Sequence, residues 1–120
     1  MNATTIEQSN RLIDIGIDAD MADMCWILPP LSKYDEDIFL CAMPYRNWRH
    51  DSAVKAPAFT LSKLLSMMPH EINLHRFILE RTNGRWVASY RYNGVPLNGV
   101  MCINEEPIEA VVQLMEYVVL

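Results

Sequence analysis

The stretch from His75 to Tyr92, HRFILERT-NG-RWVASYRY, decides the fold. Two runs rich in aromatic and β-branched residues flank Asn83-Gly84. That dipeptide is the strongest short signal for a two-residue hairpin turn, because both central residues must take a positive φ. The two-residue loop sets the register. It places Arg81 opposite Trp86, Leu79 opposite Ala88, Phe77 opposite Tyr90 and His75 opposite Tyr92. Side chains alternate across a strand, so this aromatic and aliphatic face is expected to meet a core. The other, outer face carries Arg76, Ile78 and Glu80 opposite Arg91, Ser89 and Val87. Asn93-Gly94 predicts a second turn. A further strand is expected near Val100 to Ile103, although Pro96 and Gly99 weaken the pattern.

Downstream, the chain ends on an amphipathic helix. Asn104 is placed to cap it, Glu105 and Glu106 suit its positive end, and Pro107 is tolerated in its first turn. Ile108, Val111, Val112, Met115, Val118 and Val119 then follow helical spacing. Upstream, Thr60 caps a helix carrying Leu61, Leu64, Leu65 and Met68, which Pro69 ends. Thr4 and Glu7 fit a capping box, which predicts a helix from Thr5 to Ile15 stopped at Gly16. Asp18 caps one short helical turn. A calcium loop here would need a turn glycine and a distal glutamate, and both are missing. Cys25 to Leu28 and Ile38 to Met43 are apolar runs halted by prolines and read as short strands. Leu31 to Asp37 reads as a loop, and Tyr45 to Pro57 as irregular chain. The expected fold is α+β: a small antiparallel sheet, a hairpin and meander around residues 74–103, packed by an N-terminal, a central and a C-terminal helix. It is expected to form a single domain over residues 1–120.

At 120 residues with 51% hydrophobic and 21% charged side chains, the chain is able to bury a core without staples. No apolar run approaches the roughly 20 residues of a membrane helix. Met1 to Asn10 lacks the basic-then-apolar order of a signal peptide. The expectation is a cytoplasmic protein with no membrane contact. Cys25, Cys41 and Cys102 are widely spaced among apolar neighbours and read as buried reduced thiols. Zinc would want close cysteine pairs. Net charge is −5, distributed as −6 over residues 1–43, +5 over 44–92 and −4 over 93–120. A basic footprint over the whole molecule is absent, while a local basic face in the middle remains open.

The sequence predicts no catalytic, cofactor or metal site. His70-Glu71 and His75 are spaced H-E-x-x-x-H rather than H-E-x-x-H. Five positions turn about 140° around a helix, so the two imidazoles would not share a face. A Cys-His nucleophile would need the fold to bring a thiol to an imidazole. There is no phosphate-cradling glycine loop. Two basic features stand out instead. Arg46, Trp48 and Arg49 lie in a loop that mixes aromatics with bases, as single-strand nucleic-acid binders do. Arg76, Arg91 and Arg85 share the outer hairpin face, with Arg76 directly opposite Arg91. Facing like charges are unfavourable, and a bridging carboxylate or phosphate relieves them. Such an anion is supplied internally, by Glu80 or an acid from residues 1–43, or by a bound nucleotide, single-stranded nucleic acid or acidic protein. The loop Asp35-Glu36-Asp37 is a second candidate contact surface. The apolar end Tyr117-Val118-Val119-Leu120 would suit a second copy of the chain.

Three blocks of sequence carry a resemblance. The first is Thr5-Ile6-Glu7-Gln8-Ser9, Arg11-Leu12-Ile13, Gly16-Ile17 and Ala22-Asp23-Met24. The second is Ala56 to Leu65 with Met68-Pro69. The third is Trp86 to Tyr92 before Asn93-Gly94, followed by Glu106 to Ala110. In this order they resemble small uncharacterised proteins encoded by phages, prophages and mobile elements of gut anaerobic bacteria. The resemblance spans most of the chain. It implies a genomic setting and an accessory protein that binds a host or phage macromolecule; together with the small size and the missing catalytic constellation, it makes a protein the expected partner, with nucleic acid, through the arginine patch, as the alternative. It implies no catalytic residue.

Overall fold

Four reversals of the chain in its second half share one local solution. In the computed structural model, which describes residues 3–28, 38–43 and 53–118, consecutive residues take positive φ at Asn73-Leu74, Asn83-Gly84, Asn93-Gly94 and Asn98-Gly99. Two left-handed residues in succession make the turn whose twist matches that of paired strands. The first three therefore fold the chain into a meander of β4 (Glu71–Ile72), β5 (His75–Thr82), β6 (Arg85–Tyr92) and β7 (Val95–Pro96). The fourth breaks the outer strand, so that β7 and β8 (Cys102–Asn104) both pair with β6, at its two ends. The register runs from Arg76 opposite Arg91 to Thr82 opposite Arg85, as the two-residue loop predicts.

The fold is α+β, with three α-helices and two antiparallel sheets among the described residues. The chain divides into two compact units, Met1–Lys63 and Leu64–Leu120. The sequence reading has one sheet for all three helices. The structure has a second sheet in the first unit, with strand order β2-β1-β3: β1 (Met24–Ile27), β2 (Phe39–Ala42) and β3 (Val54–Ala58). Strand β3 falls partly in the segment read as irregular. Pro57 hid it, since proline disrupts a central ladder. Here β3 is an edge strand, and Pro57 is tolerated opposite Cys25.

Helix α1 (Ile6–Asp14) lies against β3. Its capping box is Thr5 with Gln8, one residue later than the Thr4–Glu7 pairing expected. Both frames fit the motif, and burial chooses between them. The Thr4 hydroxyl is spent inside the first unit, where it accepts from the Phe59 amide at 3.0 Å and bonds the Ser9 hydroxyl at 2.7 Å. The helix ends as expected at Gly16, whose amide donates to Ile13 while Ile17 donates to Leu12. Asp18 caps the short turn Ala19–Met21. The hydroxyl of Thr60 caps α2 (Leu61–Met67) by accepting from the Lys63 amide, and Asp23 in turn takes both the Thr60 amide and its hydroxyl.

Helix α3 (Pro107–Tyr117) packs on β6 and β8 with Ile108, Val111, Val112 and Met115 of the expected stripe buried, joined by Ala110 and Leu114; Val118, also placed on that stripe, is the C-cap beyond the helix, and Val119 lies outside the described residues. Asn104 does not cap α3: its side chain accepts from the Glu106 amide in a local turn, and Glu106 holds the cap position. Among the described residues no helix is long and apolar enough to cross a membrane.

Tyr90 and Cys102 lie buried in this unit. The Tyr90 hydroxyl donates to the Pro69 carbonyl at 2.8 Å. Burial pushes the phenol up to about 12. Burial first, then the charges of Glu116 and Glu109, push the Cys102 thiol up to about 11. Both groups stay neutral in the fold at a pH where their unfolded counterparts ionise. The stability they carry is fully present below the ordinary values of 9.0 for the thiol and 10.0 for the phenol, and is lost as pH rises through about 11 and about 12. Urea midpoints measured across that alkaline range should fall steadily, and Tyr90→Phe should remove the upper part of the fall.

Candidate functional site

Arg76 and Arg91 face each other across β5 and β6, but among the described residues their guanidinium groups do not share one anion. Arg91 ion-pairs with Glu80 at 2.6 Å and donates through Nε to the Ser89 hydroxyl at 2.7 Å. Glu80 stands opposite Val87, two same-face pairs farther along the hairpin. Arg91 therefore runs along the face over Ser89, away from Arg76. Of the alternatives the sequence left open, the internal one operates for Arg91. The outer face is also less open than expected, since Val87 and Ser89 on it are buried. Strand β6 is central, with β5 on one side and β7 and β8 on the other, and central strands are the ones most readily covered.

Arg85 does not join them. It sits at the opposite end of β6, six residues and roughly 20 Å from Arg91 at strand rise. There it lines a separate cleft with Ile103, Asn104, Glu105 and Glu106. The arginine patch expected from the sequence is thus two places. Arg46, Trp48 and Arg49, and the loop Asp35-Glu36-Asp37, lie outside the described residues.

Arg76 opens onto a cleft of about 330 Å³ at the end of the sheet, lined by Glu71, Leu74, Arg76, Arg91, Tyr92 and Asn93. The turns Asn73-Leu74 and Asn93-Gly94 both reverse the chain at this end, so they form its rim. Glu71 is the cross-strand neighbour of Arg76, yet Arg76 makes no ion pair among the described residues. The apolar part of the rim is exposed: Leu74 to 66% and Tyr92 to 50%. The Tyr92 ring leans on His75, centroids 6.0 Å apart, and Nδ1 of His75 is 2.7 Å from the Asn73 carbonyl oxygen.

Leu74 is the residue the sequence reading missed. Its φ is +68°, and it stands where the three other turns have glycine. A leucine there costs about 1–2 kcal/mol relative to an ordinary backbone conformation. Being exposed, it recovers little of that by burial. The available signal was Asn73 ahead of the β-rich run, but without a following glycine the turn motif was not recognisable.

Among the described residues no three His, Cys, Asp or Glu side chains gather as a metal ion would require. Compared with protein-family models, curated proteins and solved structures, the chain matches none.

Proposed function

We propose that the chain is a non-enzymatic binding protein, a cytoplasmic accessory protein of a phage or mobile element. It grips a protein partner at the cleft between the Asn73-Leu74 and Asn93-Gly94 turns. The observation that carries this reading is Leu74: an exposed apolar side chain held at a conformational cost, beside an arginine without an ion pair among the described residues. Strain concentrated at an exposed position is a mark of binding surfaces. The partner that fits is a peptide segment with a carboxylate for Arg76 and a large apolar side chain to lie against Leu74 and Tyr92. The resemblance to mobile-element proteins supports the accessory role and its setting by analogy.

Selection of a random peptide display library on the immobilised chain tests this directly. Peptides pairing Asp or Glu with a large apolar residue should be enriched by the parent and not by Leu74→Gly or Arg76→Ala. Leu74→Gly should at the same time raise stability by about 1 kcal/mol, by relieving the left-handed leucine. Enrichment indifferent to both substitutions would sink the proposal. Binding of single-stranded oligonucleotides or nucleotides at low salt, weakening steeply with added salt and lost in Arg76→Ala, would replace it with the phosphate-binding reading. The pairing of Arg91 with Glu80 speaks against that reading, since it removes half of the positive charge at the cleft.

A further inference from the structure

Strands β1 and β2 pair with Cys25 directly opposite Cys41. The Met43 amide donates to the Asp23 carbonyl at 3.1 Å, which marks Asp23–Met43 as a hydrogen-bonded pair. Alternation along an antiparallel ladder makes Cys25–Cys41 the next such pair, with Cα atoms about 5.5 Å apart. That separation lies in the most populated range for disulfides. Opposed residues also present their side chains on the same face, and the two Sγ atoms are 3.6 Å apart. The Cys25 thiol is fully buried, with the Ala42 carbonyl oxygen 3.8 Å away, while Cys41 is half-buried. Two cysteines far apart in sequence thus form one thiol pair with an outer and an inner member.

We propose that Cys25 and Cys41 are a thiol–disulfide exchange site that takes a low-molecular-weight disulfide of the glutathione class and closes to a reversible cross-strand disulfide. Cys41, the member that solvent reaches, reacts first. Its thiolate attacks one sulfur of the reagent, forming a mixed disulfide and expelling one glutathione thiolate. The Cys25 thiolate then attacks the Cys41 sulfur. The Cys25–Cys41 bond forms, the Cys41–glutathione bond breaks, and the second glutathione thiolate leaves. Two protein thiols are oxidised and one reagent disulfide is reduced to two thiols. The two protons given up by the cysteines pass to the leaving thiolates. The chain needs only to bring the sulfurs from 3.6 Å to about 2.05 Å, a shift within reach of side-chain rotation and a small strand adjustment. Cys102 stays out of the exchange. It is buried in the other unit, and its raised thiol is almost wholly protonated at neutral pH.

The test incubates the full native chain with oxidised glutathione, alkylates the remaining thiols after unfolding, and maps the peptides by mass spectrometry. The parent should lose two of its three titratable thiols, with Cys25 joined to Cys41, Cys102 alkylated, and dithiothreitol restoring all three. Cys41→Ser should abolish the reaction. Cys25→Ala should instead keep glutathione on Cys41, an adduct that the parent does not accumulate. A lasting glutathione adduct on Cys41 of the parent with Cys25 still alkylatable would overturn the proposal, as would retention of all three thiols or a bridge to Cys102.

Discussion

Replacing Val112 with aspartate is expected to leave most of the chain unfolded without any denaturant. Val112 has no exposed surface and belongs to the face of α3 that rests on β6 and β8. Its neighbours along that face, Ile108, Val111 and Met115, are also buried and apolar. A carboxylate in that layer is either ionised without water or protonated with a hydroxyl to satisfy, and either costs several kcal/mol. Small proteins hold only about 5–15 kcal/mol in total, and a loss above about 4 kcal/mol is rare and diagnostic. Val112→Ala, which removes volume without adding polarity, should cost about 2 kcal/mol. Tyr117→Asp, on the exposed side of the same helix, should stay within about 0.5 kcal/mol. Urea titrations followed by circular dichroism would rank the three. A Val112→Asp variant that melts like the parent would mean that α3 presents another face to the sheet.

The second large effect is expected at Thr4. Thr4 makes four bonds, two to Phe59 just beyond the end of β3, one to Ser9 in α1 and one to Trp26 in β1. Its amide donates to the Phe59 carbonyl at 2.9 Å, and its hydroxyl accepts from the Phe59 amide at 3.0 Å. The same hydroxyl bonds Ser9 at 2.7 Å, and its carbonyl accepts from the Trp26 indole at 2.9 Å. Thr4 and Ser9 have no exposed surface, so water is not at hand to replace a lost partner. Thr4→Val keeps the shape but leaves the Phe59 amide and the Ser9 hydroxyl short of a partner. An unsatisfied buried group costs about 1–3 kcal/mol, so the variant should lose about 2–3 kcal/mol. Ser9→Ala should lose about 1 kcal/mol, and the double variant less than the sum, because the second change deletes a group the first has already orphaned. A Thr4→Val midpoint within error of the parent would show that the network carries no weight. Faster hydrogen exchange at the Phe59 amide would locate the damage.

What could be read in advance was whatever local chemistry determines. Asn83-Gly84 dictates a turn type, the turn dictates a register, and the register held from Arg76–Arg91 to Thr82–Arg85. The stripe of α3 held from Ile108 to Met115 for the same reason: spacing along one helix is a local property. The misses needed long-range information. Thr4 and Thr5 both suit a cap, and what separates them is a bond to Phe59, 55 positions away. Pro57 argues against a strand until β3 is known to be an edge. Glu80 was one of several acids offered to Arg91, and only the side-chain path over Ser89 selects it. Cys25 and Cys41 stood apart until two strands of unknown partnership were laid side by side. The exposed leucine at the cleft went unseen because the turn rules favour glycine where Leu74 stands.

The two units make opposite demands on chain entropy. In the meander, β4 to β7 each pair with the strand next in sequence across a two-residue turn, so every pairing brings together segments already near one another. In the first unit the bridge between Ala3 and Thr60 closes almost the whole length of that unit. Loop-closure cost rises with the length enclosed, and non-local pairing slows folding more than it alters final stability. During synthesis the bridge from Ala3 to Thr60 must therefore wait for Thr60 to emerge, although Ala3 is made long before it. Each pairing in the meander needs only the adjoining strand to have emerged.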